Sequence, residues 1–342
     1  MNNFFSKLKK TFVIAEIGVN HNNNIVLAKK LILHAKLAGA DAVKFQTFKA
    51  ENLVLPGTRK VKYQLKYSRD KEDHFQMLKK LELSYENHKK LFDYCKKIRI
   101  IFMSTPYDVE SAKFLNKIGV KIFKTASADL IDYNLHNYLS KQKKPIIIST
   151  GMSTLKDIKR TLKVYKKNKN SNIALLHCVS NYPCNLNSIN MNALNELKKL
   201  KFTIGYSDHS DDMLTPCIAV SMGSKIIEKH FTLNKKLKGP DHKASFNPKE
   251  LKEMIENIKK TKLIMGNSFK KIQPEELEMS KISKKSLYFN KDKTKGSKIV
   301  SSDLISLRPG FGINPFFIKS IIGKKLKFNI KKHQIVKYNH FF

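Results

Sequence analysis

Residues 202–232 read FTIGYSDHSDDMLTPCIAVSMGSKIIEKHFT, two short apolar runs at 202–206 and 225–229 joined by a helical segment. Runs that are continuously apolar, rather than alternating, belong to strands buried on both faces, as in a parallel sheet whose neighbours are linked by crossover helices. The same unit recurs from residue 11 onward. Apolar, β-branched runs at 11–17, 42–46, 100–104, 121–125, 145–149 and 173–178 precede this pair, each followed by a polar turn and an amphipathic stretch. Eight strands alternating with helices predict a closed (β/α)8 TIM barrel.

Helix punctuation agrees with that assignment. Residues 25–37 carry apolar side chains at helical spacing and stop before Gly39; Ser84 is placed to cap a helix over 85–97, and Asn247-Pro248 to open one over 249–265. The second unit is irregular: about forty residues between Gln46 and Ser84, with Pro56-Gly57 and little periodicity, predict a long loop at the mouth of the barrel. Domain boundaries follow from the change of pattern at Gly266. Residues 1–266 form the barrel, 267–284 a polar connector containing Pro274, and 285–342 a small β-rich domain with short runs at 286–289, 298–300 and 334–336.

The chain has 342 residues, 41% of them hydrophobic, and a formal net charge of +38. Only five of its 66 lysines and arginines are arginine, and the lysines are spread through every segment. Proteins that read bases or clamp phosphates lean on arginine's planar fork, so this charge is expected to be solvated surface that also attracts small acidic molecules, not a nucleic-acid interface. Four cysteines without CxxC spacing, no apolar run of membrane-spanning length and no cleavable leader predict a cytoplasmic chain with reduced thiols.

In a TIM barrel the chemistry lies at the carboxyl ends of the strands, and here every strand ends in a polar residue. Glu16, Lys44, Thr105, Lys124 with Ser127 and Asp129, Ser149, Ser180 and Tyr182, Ser207 with His209, and Glu228 with His230 follow in strand order. Lysine in an apolar strand is costly unless it is paired or meets an anion. Lys44 and Lys124, among the hydroxyls of Thr105, Ser127, Ser149 and Ser207, therefore predict a pocket for a small phosphate- or carboxylate-bearing molecule. The competing possibility is that both lysines pair with Glu16, Asp129 and Glu228 and merely fill the barrel end. His209 and His230, at the ends of adjacent strands, are placed to share one divalent metal such as Mn²⁺, Co²⁺ or Zn²⁺, leaving positions for water and substrate.

The motifs Ala-Glu-Ile-Gly-Val-Asn-His-Asn (15–22), Ala-Val-Lys-Phe-Gln-Thr-Phe-Lys (42–49), Ser-Thr-Pro (104–106), Ser-Thr-Gly-Met (149–152), Gly-Tyr-Ser-Asp-His-Ser (205–210), Glu-Lys-His-Phe-Thr (228–232) and Gly-Pro-Asp-His (239–242) together resemble the bacterial sialic acid synthases. Arg-Pro-Gly-Phe-Gly-Ile (308–313) is similar to the arginine loop of that family's C-terminal antifreeze-like (SAF) domain. The resemblance covers essentially the whole chain. It implies condensation of phosphoenolpyruvate with an N-acylated hexosamine, N-acetylmannosamine first and a di-N-acetyl hexosamine as in legionaminate-type synthases second. It further implies that Lys44, Thr105, Lys124, Ser127, Ser149 and Ser207 hold phosphoenolpyruvate, and that His209 and His230 bind the metal, Mn²⁺ foremost with Mg²⁺ or Co²⁺ as substitutes. Glu16, Tyr182, Asp241 and Arg308, the last from the neighbouring subunit of a domain-swapped homodimer, would hold the sugar. Asp129 and Ser180 stand where some members carry glutamate and asparagine, so both are expected to contact substrate. A related 3-deoxy-sugar acid synthase and a basic polyanion-binding protein are the alternatives.

Overall fold

A computed structural model describes residues 3–61, 64–65 and 72–342. The chain divides into two compact units, Met1–Gly266 and Asn267–Phe342.

The first unit carries all eight expected strands, each within two residues of its expected ends: β1 Phe12–Gly18, β2 Ala42–Thr47, β3 Ile101–Pro106, β4 Phe123–Thr125, β5 Ile146–Ser149, β6 Ile173–His177, β7 Thr203–Asp208 and β8 Ile226–His230. They form one parallel sheet in the order β3-β2-β1-β8-β7-β6-β5-β4, the circular order of a TIM barrel. Strands β3 and β4 lie side by side but share no hydrogen-bonded ladder, so the ring closes there by packing. The shortness of β4, three residues, leaves few backbone groups to pair across that seam.

The helices start where the capping residues place them. Helix α1 spans Ile25–Leu37, with the Asn24 side chain accepting from the amides of Val26 and Leu27. The 46–84 segment departs from the expected structureless loop. It contains a short helix α2, Ala50–Leu53, and α3, His74–Leu81, which opens on a capping box between Asp73 and Gln76. Eight residues with buried apolar positions only at Met77, Leu78 and Leu81 are too few to announce a helix by periodicity. Helix α4, Tyr85–Ile98, is capped by Ser84. Helices α5 (Val109–Ile118), α6 (Tyr133–Lys141) and α7 (Leu155–Lys167) continue the outer layer. After β7 come α8, Leu214–Ser221, and, beyond β8, α9, Pro248–Met265, with proline in its first turn and an Asn247–Glu250 capping box.

Two cores follow from the period of two along each strand. Val13, Ala15, Ile17, Val43, Phe45 and Phe102 face outward and pack against the helices. Phe12, Ile14, Ala42, Met103, Ile147, Ala174, Leu176 and Ile226 face inward, and Phe5, from a 3₁₀ turn ahead of β1, is fully buried among them. Gly205 is required in this interior: a Cβ there would lie 2.5 Å from the Ile226 carbonyl oxygen and 2.5 Å from Leu176. Farther along the strands the inward face turns polar, and that change marks the site.

The second unit has α10, Leu277–Ser283, and an antiparallel pair, β9 Ser286–Phe289 with β10 Leu304–Leu307, around a small core of Leu287, Phe289, Ile299, Leu326, Ile330 and Val336. The stretch 267–284, expected as a connector, thus carries a helix and a 3₁₀ turn, Pro274–Glu276. Expected strands at 298–300 and 334–336 make only isolated bridges, Lys298 to Lys325 and Ile335 to Tyr288, and β10 is a strand that its sequence does not mark. No described helix is long and apolar enough to cross a membrane.

Candidate active site

Register brings the polar strand ends together. Glu16 lies beside Lys44 on one side and beside His230 on the other, and Ser207 lies beside Glu228. The intervening residues, Asp208 and Lys229, face outward and form a fully buried ion pair at 2.7 Å, with the Lys229 ammonium 4.0 Å from the centre of the Phe246 ring. Asp208 also accepts from Tyr206 and Ser210, which anchors the turn that presents His209.

Inside the mouth, Lys44 Nζ is 2.6 Å from Glu16 Oε2, 3.1 Å from Thr105 Oγ1 and 3.9 Å from Glu228 Oε2. Gln46 Nε2 donates to Glu16 Oε1 at 3.1 Å. Lys124 Nζ donates to Ser149 Oγ at 2.6 Å and to the Thr125 carbonyl at 3.0 Å, with Glu228 Oε1 3.7 Å away. Ser207 donates to that same Glu228 oxygen at 2.9 Å. The simple pairing alternative therefore holds for Lys44 with Glu16 and, at longer range, for Lys124 with Glu228, although the oxygens nearest Lys124 are the neutral ones of Ser149 and Thr125. Asp129, the third carboxylate in that alternative, makes no ion pair among the described residues.

Burial and neighbours set the charge states. Burial pushes Glu16 from 4.5 up to about 7, against the pull of Lys44. Burial would lower Lys44, but Glu16 and Glu228 hold it above its ordinary value. For Lys124 burial wins over Glu228 and the ammonium is pulled down. Burial works against Glu228, yet Lys124 and Lys44 keep it below the usual carboxylate range, and so ionised. Two buried cations thus face one firm carboxylate and a second that titrates near neutrality, a field receptive to an added anion.

These side chains line a cavity of about 460 Å³, within the usual range for a small-molecule site. Of the residues named from sequence, Glu16, Lys44, Thr105, Lys124, Ser127, Ser149, Ser180, Tyr182, Ser207, His209, His230 and Asp241 all line it. Ser127 accepts from the Gly151 amide at 3.0 Å, and a Cβ on Gly151 would come within 2.6 Å of Ser180 Oγ. Asp129 does not line the cavity, contrary to expectation. Alternation ends with β4, and Asp129 sits beyond it in a 3₁₀ turn, Ala128–Ile131, where its Oδ2 is buried without a hydrogen bond and burial raises it to about 7. Arg308 belongs to the second unit, just after β10.

Sequence reasoning under-weighted Glu228 and Gln46, both strand-end residues on the correct face. It missed the lining supplied by the 47–83 stretch, Leu53, Val54, Val61, Gln64, His74, Met77, Leu78 and Leu81, for want of any long-range signal.

The two histidines fit a divalent metal. His209 Nδ1 donates to the Val179 carbonyl at 2.7 Å, which leaves Nε2 with its lone pair. His230 Nδ1 is buried with no hydrogen bond, 3.8 Å from Asp241 Oδ2. The ring centres are 5.6 Å apart, and Tyr182 packs on both, at 4.2 and 5.3 Å. Burial holds His209 near 4 and His230 well below its ordinary value, so both imidazoles are neutral and able to ligate. Among the described residues no three His, Cys, Asp or Glu side chains converge as a ready-made metal cage. An ion here would complete its shell from water and substrate.

Comparison with known proteins gives a consistent picture. The NeuB family pattern matches residues 31–270. N,N'-diacetyllegionaminic acid synthase of Campylobacter jejuni is 42% identical over 96% of this chain and 100% of its own length. The enzyme of the same name from Legionella pneumophila is 41% identical over 96% of this chain and 94% of its own. Among solved structures, the N-acetylneuraminic acid synthetase of Leptospira borgpetersenii, in complex with citrate, superposes with a TM-score of 0.70 at 33% identity, covering 79% of this chain and 90% of that one.

Proposed function

This chain belongs to the NeuB family of nonulosonic acid synthases, and from that premise we propose that it condenses phosphoenolpyruvate with the open-chain aldehyde of a di-N-acetyl hexosamine, giving N,N'-diacetyllegionaminate and inorganic phosphate. N-acetylmannosamine, the sugar placed first by sequence motifs, gives way because the relatives matched at 42% and 41% identity carry the legionaminate name. The observation that carries the reading is the convergence of buried Lys44 and Lys124 with the hydroxyls of Thr105, Ser149 and Ser207 opposite two neutral imidazoles.

The chemistry follows from those positions. Carbon 3 of the enol phosphate forms a bond to the sugar aldehyde carbon as the aldehyde π bond breaks and its oxygen takes a proton to become the new hydroxyl; water adds at carbon 2 and gives up one proton, and the carbon 2–oxygen bond to phosphate then breaks, the remaining hydroxyl proton leaving with phosphate to form the ketone. Lys44 and Lys124 hold the carboxylate and phosphate and neutralise the charge carried off by the departing phosphate, as preorganised electrostatic stabilisation. Hydroxyls of Thr105, Ser127, Ser149 and Ser207 complete the anion's hydrogen bonds. Glu16, oriented by Gln46 and titrating near 7, takes the proton of the attacking water at Oε2 in its ionised form. His209 and His230 would hold a divalent ion, Mn²⁺ foremost, which supplies Lewis acidity toward the aldehyde oxygen. Tyr182 and Asp241 face the sugar. Arg308 as a sugar ligand and a homodimer as the working assembly belong to the same proposal, tested by Arg308→Ala kinetics and light scattering.

The deciding experiment is mass analysis of products formed from phosphoenolpyruvate with a panel of N-acetyl and di-N-acetyl hexosamines, alongside phosphate release. A di-N-acetylated nine-carbon 2-keto acid as the preferred product is expected. Preference for N-acetylmannosamine, or turnover only with arabinose 5-phosphate or erythrose 4-phosphate, would overturn it.

A further inference from the structure

The last rung of the β7–β8 ladder pairs Asp208 with Lys229, and His209 and His230 are the next residues along the two strands. Whatever fixes that rung therefore fixes how far apart the two imidazoles stand. On the inward face the preceding rung, Ser207 with Glu228, is closed by a hydrogen bond of 2.9 Å. On the outward face, where β1 and β2 pack Val13, Ala15 and Val43 against helices, this rung instead carries two opposite charges, both fully buried.

The pair is tied into both segments that carry the histidines. Asp208 Oδ2 accepts from Lys229 Nζ at 2.7 Å and from Thr215 Oγ1, on α8, at 3.2 Å. Its Oδ1 accepts from the Ser210 amide at 2.9 Å, the Ser210 hydroxyl at 2.8 Å and the Tyr206 hydroxyl at 3.1 Å. Lys229 also donates to the Ser210 carbonyl, so His209 sits inside a turn whose far side is held by amide, hydroxyl and carbonyl alike. On the β8 side the Lys229 ammonium lies 4.0 Å from the centre of the Phe246 ring, and the Phe246 amide donates to the His230 carbonyl at 2.8 Å. A buried ion pair stabilises a fold no more than well-packed apolar side chains would, but its directional bonds specify one geometry. Here those bonds converge on the residues that flank the two imidazoles.

We propose that Asp208 and Lys229 are positioning residues for the metal: by closing the turn around His209 and holding β8 at His230, they set the two imidazoles at the separation one divalent ion bridges. The ring centres stand 5.6 Å apart in this arrangement. Neither residue lines the cavity, so the effect runs through the histidines and not through contact with substrate. The inference rests on the metal assignment above and names what holds the ligands in place.

The test compares the parent with the double variant Asp208→Asn/Lys229→Met, which removes both charges at nearly constant volume and leaves no buried charge unpaired. Mn²⁺ binding is followed by the electron paramagnetic resonance of the free ion at saturating phosphoenolpyruvate, and phosphoenolpyruvate binding by calorimetry in EDTA. The Mn²⁺ dissociation constant should rise about tenfold, the lower end of what losing a partner behind a metal ligand costs. Phosphoenolpyruvate affinity in EDTA should be unchanged, because Lys44, Thr105, Lys124 and Ser149 stand on β2 to β5. An unmoved Mn²⁺ constant in the folded variant would overturn the proposal. Equal losses of Mn²⁺ and metal-free phosphoenolpyruvate affinity would also overturn it, because general loosening of the barrel mouth weakens both. If the double variant fails to fold by circular dichroism, Ser210→Ala decides on the same criteria: deleting the hydroxyl that donates to Asp208 should raise the Mn²⁺ constant about threefold, the worth of one hydrogen bond. Absence of Mn²⁺ binding by the parent would sink the metal assignment and this inference together; binding by the parent with an unmoved constant in the variant would sink only this one.

Discussion

Replacing Glu228 by glutamine isolates the group on which both buried lysines depend. Its Oε1 is 3.7 Å from Lys124 and its Oε2 3.9 Å from Lys44, but Lys44 keeps Glu16 at 2.6 Å whereas Lys124 has no other carboxylate within ion-pair distance among the described residues. At an effective dielectric constant of about 20, unit charges that far apart interact by about 4 kcal/mol, equivalent to roughly 3 pH units. Lys124 is already pulled below its ordinary value by burial, and Glu228 is the neighbour that does most to hold it up. Its ammonium must be protonated to hold an anion, so binding is present below its pKa and lost as pH rises through it. Glu228→Gln should therefore move the alkaline limb of kcat/KM for phosphoenolpyruvate downward by about 3 pH units, bringing it into the assay range. The amide oxygen can still accept from Ser207, which keeps the local shape. Initial rates of phosphate release from about pH 6 to 10, with thermal melts to establish folding, would measure this. Superimposed limbs for parent and variant would refute the assignment of Glu228 as the counter-charge of Lys124.

Gly205→Ala should lower stability by about 1–3 kcal/mol through overpacking against the Ile226 carbonyl, which cannot swing aside; an unchanged melting temperature would contradict that account. Asp129→Asn should stabilise the protein, because the carboxyl is raised from 3.8 to about 7 and its ionised form is penalised. That penalty is complete above about pH 7 and vanishes below the unfolded value, so the gain should reach a few kcal/mol at about pH 8 and fade toward about pH 4 in urea titrations. His209→Ala should reduce turnover at least about a thousandfold, and chelation should inactivate the parent enzyme reversibly, with Mn²⁺ restoring it; activity unaltered by chelation would overturn the metal assignment.

Local pattern alone carries the strand count, the barrel order and most of the site. Continuous apolar runs encode strands buried on both faces, and the period of two then assigns Lys44, Ser207, Glu228 and His230 to the inner face without any knowledge of tertiary contacts. Asn24, Ser84 and Asn247 encode helix starts in the same local way, through side-chain acceptors for orphan amides. That logic stops where regular backbone stops. Asp129 lies just past β4, and nothing in its neighbours tells which way a 3₁₀ turn aims a carboxylate. Helix α3 is too short to show a period, so the cavity lining it supplies through Met77, Leu78 and Leu81 leaves no trace in the sequence pattern. Glu228 as the shared partner of Lys44 and Lys124, and Asp208 against Lys229 behind it, depend on the register of β7 with β8 and on how the ring closes. Charges interact through space as the inverse of distance, and those distances between residues remote in the chain exist only once the strands are wound into a barrel.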